Sequence, residues 1–409
     1  MAWNSTTSFD DLSQETATNI LSRLPVKALI RSTTVNKKWY SLITNPHFIS
    51  AQIKHAISQS DDNVVLVIPP VISQEKHCSL VSIETSKVLE KYELPFTTRT
   101  KSLKLIDSLD GLMLLTDLHA FYASRHLYLW NPCVKTHRPL VSSCFKKLFE
   151  DPYISYFISG LGFNQASNDY RVVRVVYDVI NKMNPAKAEV YSLSKQTWRK
   201  IKDPVVPRIG QGDGVYVDGR FYWLETTPPD TREDGRIHKI KDLWILSFDF
   251  ENEVFGELKV PKIVSKCIGT TALSKLVQFE GSLALCVFDA QSTDRGVSYP
   301  LRIWLLRKEN GVVSWILRFT AALREVGWPI NITNKGTILI ETRPSTSRID
   351  VTSILSCNLK SMHYKNLGFG KPKGVEDPML IPEPCTVDTS FTESLVMYEG
   401  GKSILKFSK

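Results

Sequence analysis

The chain has 409 residues, of which 43% are hydrophobic and 23% charged, a globular composition that excludes collagen, a coiled coil and global disorder. Its 51 Lys and Arg outnumber its 42 Asp and Glu, which leaves a net charge of +9. Because no more than two basic residues are adjacent anywhere, nucleic acid is not expected as the main partner. The length allows two or three domains, or a large repeat array with a small additional module.

The cysteines and the apolar runs indicate where the protein resides. Seven cysteines stand at positions 78, 133, 144, 267, 286, 357 and 385, and no pair has C-x-x-C spacing. Structural zinc is therefore not expected, and an odd, scattered set predicts reduced thiols inside a cell. The N-terminus lacks the basic and apolar regions of a signal peptide, and the longest apolar run, from Val64 to Ile72, is far too short to span a bilayer. We expect a cytoplasmic or nuclear protein without membrane insertion.

Helical spacing begins near residue 12. Apolar residues recur at helical intervals, as on one face of an amphipathic helix. These residues are Leu12, Ile20, Leu21 and Leu24. Ser13 is placed to cap the N-terminus of this helix, and Glu15 in the first turn favours the helix dipole. The pattern therefore predicts a first helix, which Pro25 ends.

Three further short helices are predicted before residue 57. Pro25 suits the first position of a second helix, and a third spans about residues 36–44. Pro46 breaks the third helix, and a fourth begins with apolar residues at 48, 49 and 53. A unit of some forty residues is marginal alone and leaves apolar surface exposed. We therefore expect this module to have a partner, or to pack on the rest of the chain.

Two motifs within these helices resemble the F-box of plant proteins. They are Ile-Leu-Ser-Arg-Leu-Pro-Val-Lys at residues 20–27 and Val-Asn-Lys-Lys-Trp at residues 35–39. One departure is that the usual Leu-Pro opening is Leu12-Ser13 here. The resemblance implies that the module binds a Skp-type adaptor, which joins it to a cullin ubiquitin ligase. The residues that match the adaptor-facing pattern of the family are Leu12, Ile20, Leu24, Pro25, Leu29, Val35 and Trp39. For Leu21 and Leu42 a place in the internal core of the module is favoured.

From residue 63 onward the apolar period changes from helical to two. Short strands and turn glycines recur, and the turn glycines at 219, 281 and 336 are 62 and 55 residues apart. Such weak self-similarity predicts a β-propeller, with six blades preferred and seven as the alternative. A leftover strand at about 393–398 is expected to close the ring by joining the first blade, since closure removes an exposed edge.

The order of several motifs in this half resembles the F-box-associated, kelch-like domain of plants. They include Leu-Trp-Asn-Pro at 129–132, Gly-Leu-Gly-Phe at 160–163 and Asp-Gly-Arg-Phe-Tyr-Trp-Leu at 218–224. One departure is His137, where the family often has an aromatic residue. The predicted organisation is a disordered N-terminus at 1–8, an all-α F-box module at 9–57 and an all-β propeller at 62–400. Because each module has its own apolar period, we expect residues 60–409 to define their core without the helices.

The sequence offers no convincing catalytic, metal or cofactor site. The glycine-rich stretch at 210–214 lacks the Lys-Ser/Thr of a phosphate-binding loop, so a flexible turn is favoured. The eight histidines are scattered, and turn-capping explains Asp110, Asp218 and Asp249 better than acid–base chemistry does. We therefore predict a non-catalytic protein without a cofactor.

The two resemblances together imply the substrate-recognition subunit of an SCF-type (Skp–cullin–F-box) ubiquitin ligase. The F-box would bind the adaptor, and the propeller would hold a target protein for ubiquitination. Two alternatives stay open, namely a propeller hydrolase and a peptide- or glycan-binding propeller that acts outside the ligase. The target itself is not identified, and we expect it to meet loops on the rigid scaffold. The candidate loops are 118–126, 142–156, 226–241 and 289–300.

Overall fold

The structure is a computed structural model with four helices and 25 strands in the part of the chain that it describes. The described residues are 12–59, 63–68, 77–94, 103–117, 126–140, 143–145, 155–178, 186–202, 214–226, 243–262, 264, 273–288, 291–293, 296–323, 327–342, 353–370 and 386–397. Residues 1–8, which were predicted to be disordered, lie outside these ranges. So do most residues of the four candidate target loops taken together. None of the described helices is both long and apolar enough to cross a bilayer.

Four helices open the chain, as predicted. They are α1 (Gln14–Leu21), α2 (Val26–Ser32), α3 (Lys37–Ile43) and α4 (Pro46–Gln59). Ser13 caps α1, since its Oγ accepts a hydrogen bond from the backbone N–H of Thr16 at 3.1 Å. Asn36 caps α3 in the same way, accepting from the backbone N–H of Trp39 at 2.8 Å. Local hydrogen bonding by short polar side chains therefore fixes where α1 and α3 begin.

Six antiparallel sheets follow, and each is one blade of a propeller. Blade 1 contains β1 (Val64–Ile68), β2 (His77–Ser82) and β3 (Val88–Glu93), and blade 2 contains β4 (Leu103–Leu109), β5 (Leu112–Asp117), β6 (Leu127–Asn131) and β7 (Thr136–Pro139). Blade 3 contains β8 (Ser155–Asn164), β9 (Asp169–Asp178), β10 (Lys187–Ser192) and β11 (Thr197–Lys200), and blade 4 contains β12 (Gly214–Val217), β13 (Arg220–Thr226), β14 (Leu243–Asp249) and β15 (Val254–Lys259). The prediction of an all-β propeller with six blades is confirmed.

The last two blades differ in strand length. Blade 5 contains β16 (Leu273–Phe279), β17 (Ser282–Phe288), β18 (Gln291–Thr293), β19 (Gly296–Glu309) and β20 (Val312–Leu323). Blade 6 contains β21 (Gly327–Ile332), β22 (Thr337–Thr342), β23 (Ser353–Asn358) and β24 (His363–Gly370). The β19–β20 hairpin is the longest of the described strand pairs, and β18 and β19 replace much of the loop expected at 289–300.

The ring is closed by a strand other than the predicted one. β25 (Thr386–Asp388) pairs antiparallel with β1, with Val387 opposite Val67, and lies innermost in blade 1. The segment predicted to close the ring, 393–398, forms no strand in its described part, 393–397. Its backbone carbonyls instead accept hydrogen bonds from the side chain of Asn131. Closure from the C-terminus was predicted correctly, but it falls several residues earlier, where β25 pairs with the last three residues of β1.

Tight hairpin turns carry the expected chemistry. Asp218 and Gly219 have φ angles of 55° and 78°, a pair of left-handed residues that suits the twist of the flanking strands. Asp249 ends β14, and its Oδ1 accepts from the backbone N–H groups of Glu251 at 2.8 Å and Asn252 at 3.0 Å. The turn-capping interpretation is confirmed for Asp249, whereas Asp110 accepts a hydrogen bond from the Tyr170 hydroxyl.

Candidate functional site: the exposed face of the helical module

One group of apolar side chains in the helical module is almost fully buried. It consists of Leu21, Val26, Leu29, Ile43 and Phe48. Leu29 has 0% of its surface exposed, because it follows Val26 by three positions and shares the buried face of α2. The prediction that Leu29 faces an adaptor is therefore corrected, and Leu29 belongs to the internal core. Leu21 lies in that core as predicted, and Leu42 packs against it.

A second group of apolar side chains faces solvent. Ile20 near the end of α1 is 45% exposed, Leu24 in the following turn 37%, and Val35 after α2 62%. Pro25 is also exposed and stands at the N-cap of α2. A group of large apolar side chains that stay this exposed is typical of a protein-binding face. All four are among the residues predicted to face the adaptor.

The remaining two predicted residues are intermediate. Leu12 and Trp39 are half-buried, and Trp39 packs against the core that contains Leu29. The sequence reading missed two exposed residues, Tyr40 in α3 and Ile57 in the last turn of α4. Tyr40 directly follows the motif tryptophan, so it lies about 100° further round α3, away from the half-buried face of Trp39, and this was the available signal. Ile57 follows the apolar residues at 48, 49 and 53 from which the fourth helix was predicted, and it was not included among them.

The helical module and the propeller share one hydrophobic core. The buried members of this core are Leu21, Val26, Leu29, Ile43 and Phe48 from the helices, Leu66, Ile68, Cys78 and Tyr92 from blade 1, Leu103, Met113, Leu115, Trp130 and Cys133 from blade 2, and Leu395. Ile53 of α4 packs in a second cluster with blades 2 and 3. The four clusters between blades 3 and 4, 4 and 5, 5 and 6, and 6 and 1 contain no residue of α1, α2, α3 or α4. The expectation that residues 60–409 define their core without the helices therefore fails only where blades 1, 2 and 3 meet the helices. The small module solves its shortage of buried surface by packing on the propeller.

Residues 390–397, here called the C-terminal segment, lie between the two modules. Gln52 of α4 donates from Nε2 to the carbonyl of Glu393 at 3.0 Å. On the propeller side, Ser394 Oγ donates to the carbonyl of Asp110 at 2.5 Å. A Cβ on Gly111 would lie 2.2 Å from the carbonyl oxygen of Thr392, so only glycine allows this approach. The C-terminal segment thus connects α4 to blade 2.

Blade 1 adds two polar contacts to the same junction. Lys27 of α2 forms an ion pair with Glu90 of β3. Tyr92 of β3 donates from its hydroxyl to Oε1 of Glu393 at 3.2 Å. Burial, together with the nearby charge of Glu393, raises the pKa of Tyr92, so it stays a neutral donor. The exposed face of α1 and of the α2–α3 turn is therefore held at a fixed position relative to the propeller.

The described residues contain no arrangement that suggests catalysis or metal binding. No group of three or more His, Cys, Asp or Glu among them could hold a metal ion. His137 is half-buried on β7, and burial lowers its pKa. The five cysteines that the structure describes, at positions 78, 133, 144, 286 and 357, are free thiols. Most of the stretch 210–214 lies outside the described residues, and at Gly214 a Cβ would meet the Phe221 ring at 1.9 Å.

Comparison with known proteins agrees with this architecture. The F-box domain family matches residues 9–50, and the F-box associated beta propeller domain family matches residues 57–352. The chain is 27% identical over 321 residues to F-box/kelch-repeat protein At3g17530 of Arabidopsis thaliana, covering 75% of this chain and 74% of that protein. It is 24% identical over 370 residues to F-box/kelch-repeat protein At3g23880 of the same plant, covering 87% and 90%.

A third relative is F-box protein CPR1 of Arabidopsis thaliana, at 24% identity over 322 residues, 74% of this chain and 71% of that protein. The propeller match ends before β25, so the closing strand lies outside it. The order of the two domains is the order of the helical module and the propeller in the structure. The chain therefore belongs to the family of F-box proteins in which the F-box domain is followed by an F-box associated β-propeller domain.

Proposed function

We propose that this protein is the substrate-recognition subunit of an SCF-type ubiquitin ligase. The F-box would bind a Skp-type adaptor and through it a cullin, and the propeller would hold a target protein for ubiquitination and degradation. The observation that supports this most is the solvent-facing set of Ile20, Leu24, Pro25 and Val35 in a module whose other large apolar side chains are mostly buried. The proposal includes a cytoplasmic or nuclear location, which agrees with the free thiols.

In this role no residue of the chain performs covalent chemistry. The protein would raise the local concentration of target lysines near the ubiquitin-bearing subunits, and orientation would matter as much as proximity. The core shared by α2, α4 and blades 1 and 2 supports such a role, because it fixes the adaptor-facing side relative to the propeller. A flexible tether between the two modules would not orient a bound target.

The test is co-purification of adaptor and cullin with the full-length protein. The variant carries Leu24→Asp with Pro25→Ala, which would bury a charge in an apolar contact at a cost of roughly several kcal/mol. We expect at least about a tenfold loss of adaptor, since 1.4 kcal/mol corresponds to a tenfold change in affinity. The matched control is Val254→Asp, because Val254 is an exposed apolar residue on the propeller rim.

Two outcomes would contradict the proposal. Undiminished adaptor binding by the Leu24→Asp, Pro25→Ala variant would mean that this face does not bind the adaptor. Absence of adaptor and cullin from the unmodified protein would favour a peptide- or glycan-binding propeller outside the ligase. Leu24 and Val254 are exposed, so we expect the free protein to tolerate an Asp at either position. Thermal melting of each variant checks that the fold is kept.

A further inference from the structure

The outermost strand of each blade has one edge without a partner strand in the described part of the chain. These strands are β3, β7, β11, β15, β20 and β24. Five of them carry the devices that keep edges from pairing, namely charged side chains or proline. The charged or proline residues are Glu90 and Lys91 in β3, Arg138 and Pro139 in β7, Arg199 and Lys200 in β11, Glu257 and Lys259 in β15, and Lys365 in β24. β20 differs in that residues 312–317 carry no charge or proline, and its one charged residue, Arg318, lies beside the irregularity in its pairing with β19.

β20 presents an apolar edge instead. Val312 is 66% exposed, Val313 45%, Ile316 48% and Leu317 45%. Successive side chains of a strand point to opposite faces, so both faces of this edge are apolar. Single exposed apolar residues need no explanation, but four within six positions of one strand form a patch of the kind that marks an interaction site.

The one charged residue of β20 forms an ion pair within blade 5. Arg318 is the one charged residue in the strand, and Glu280 accepts two hydrogen bonds from its guanidinium, both at 2.9 Å. This ion pair orients the guanidinium towards Glu280, while the Arg318 side chain stays 54% exposed. Residues 312–317, which precede Arg318 in β20, contain no charged side chain.

Two rings hold β20 firmly on the propeller. Trp315 packs against the core between blades 4 and 5, and Phe319 packs against the core between blades 5 and 6. β20 is also paired with β19 from Val312 opposite Glu309 to Leu323 opposite Tyr299, with one irregularity at Arg318. The exposed edge is therefore a preformed template, and a strand that binds it would not have to order it first.

Charges beside the edge indicate what kind of strand it suits. Arg307 and Lys308 of β19 lie opposite Ser314 and Val313, and both are exposed. Within the described chain Lys308 has no carboxylate partner, and Glu309 is the nearest acidic residue in sequence. The flank therefore carries a net charge of +1, because the exposed Glu309 opposite Val312 offsets one of the two positive charges of Arg307 and Lys308.

We propose that β20 binds an extended, mainly apolar segment of the target protein by strand addition, with an acidic residue of that segment near Arg307 and Lys308. Backbone hydrogen bonds along the edge would supply affinity, and the apolar side chains on both faces would supply selectivity. In a ring of six, blade 5 lies opposite blade 2, where the helical module packs, so the bound segment stays clear of the adaptor. This inference rests on the proposed function, because it says where the target binds.

The test uses hydrogen exchange of the full chain with a defined probe. The probe is a capped peptide of about ten residues in which Val and Thr alternate and one end carries two Asp. Among residues 312–317, we expect the amides that do not already donate to β19 to exchange at least about tenfold more slowly when the probe is present. Val313→Lys with Ile316→Lys should abolish this protection, and Leu89→Lys with Val254→Lys should keep it, since those residues are exposed on the outer strands β3 and β15.

Several outcomes would overturn the proposal. Protection of another edge, or protection that survives the Val313→Lys, Ile316→Lys change in a variant that melts like the unmodified protein, would exclude β20 as the docking edge. A dimer in sedimentation that the same change dissociates would mean that the edge binds a second copy. The proposed function is tested by a different experiment, because adaptor binding is measured with the Leu24 and Pro25 variant and without the peptide probe. A failure of one proposal can therefore be told from a failure of the other.

Discussion

Asn131 at the end of β6 donates from Nδ2 to the carbonyl of Val396, 2.9 Å away and 265 residues later in the chain. The same amide group also lies 3.2 Å from the carbonyl and from the hydroxyl of Ser394. Asn131 is fully buried, so water could not take the place of its amide group as a donor to the oxygens of Ser394 and Val396. One side chain of blade 2 thereby holds the C-terminal segment against the propeller.

We expect Asn131→Ala to destabilise the protein by about 1–3 kcal/mol, because buried carbonyls in the C-terminal segment would lose their donor. Urea unfolding measures the change. Asn334→Ala is the matched control, since Asn334 is exposed and should change stability by less than about 0.5 kcal/mol. Equal stability of the two variants would show that the Asn131 contacts contribute nothing.

Truncation separates the C-terminal segment from the closing strand. Deleting 390–409 should lower the melting temperature of the whole protein, because Leu395 leaves the shared core and Gln52 loses its acceptor. Deleting 386–409 should lower it further, since loss of β25 exposes the edge of β1 and opens the ring. Thermal melts of the three lengths provide the comparison. If the chain without 390–409 melts like the full chain, the C-terminal segment does not stabilise the fold. If the two truncated chains melt at the same temperature, β25 adds no stability.

Phe48 tests whether the helices and the propeller are one folding unit. It is almost fully buried in the core that also contains Leu66 and Met113. We expect Phe48→Ala to cost about 3–5 kcal/mol and to lower the unfolding midpoint of helices and propeller together. Val35→Ala, at an exposed site of the same module, should leave that midpoint unchanged. Two separate unfolding transitions in Phe48→Ala would mean that the modules unfold independently.

Most of the architecture was predictable from local patterns. Helical spacing before residue 57, period two after it, and the Asp-Gly turns are properties of neighbouring residues, and they predicted four helices and six blades. The closing strand was misplaced because Thr386–Asp388 is only three residues long and resembles any short polar–apolar run. Which segment pairs with β1 depends on contacts more than 300 residues away in sequence.

The site was predictable only in part, for the same physical reason. Ile20, Leu24 and Val35 are exposed as expected, whereas Leu29 is buried in the core that the helices share with blades 1 and 2. The motif identifies which positions of α2 are apolar. Which of these side chains are buried depends on how α2 packs in the core shared with blades 1 and 2, whose residues are distant in sequence. The apolar edge of β20 was missed because alternation predicts a strand and does not say whether its outer edge has a partner.

Two buried carboxylates near the ring closure favour a pH-dependent stability. Asp107 lies on β4 and Asp388 on β25, both innermost strands. Their Oδ2 atoms are buried and have no hydrogen-bond partner among the described residues. Burial raises the pKa of both, and the nearby Asp388 raises that of Asp107 further. Hydrogen bonds to Asp388 Oδ1 from the backbone N–H and hydroxyl of Ser390, both 2.8 Å, offset only part of this.

The sign of the effect follows from proton linkage. A carboxyl whose pKa is raised by folding binds more protons in the folded state, so its contribution to stability is greatest below the ordinary Asp pKa and falls as pH rises towards the folded-state value. We therefore expect Asp388→Asn to raise the urea midpoint at pH 7 and to leave it unchanged near pH 4, since Oδ1 remains to accept from Ser390. Asp218→Asn, which removes an exposed turn carboxylate, is the control. Urea unfolding across this pH range measures the difference, and a lower midpoint for Asp388→Asn at pH 7 would show that the ionised carboxylate stabilises the closure.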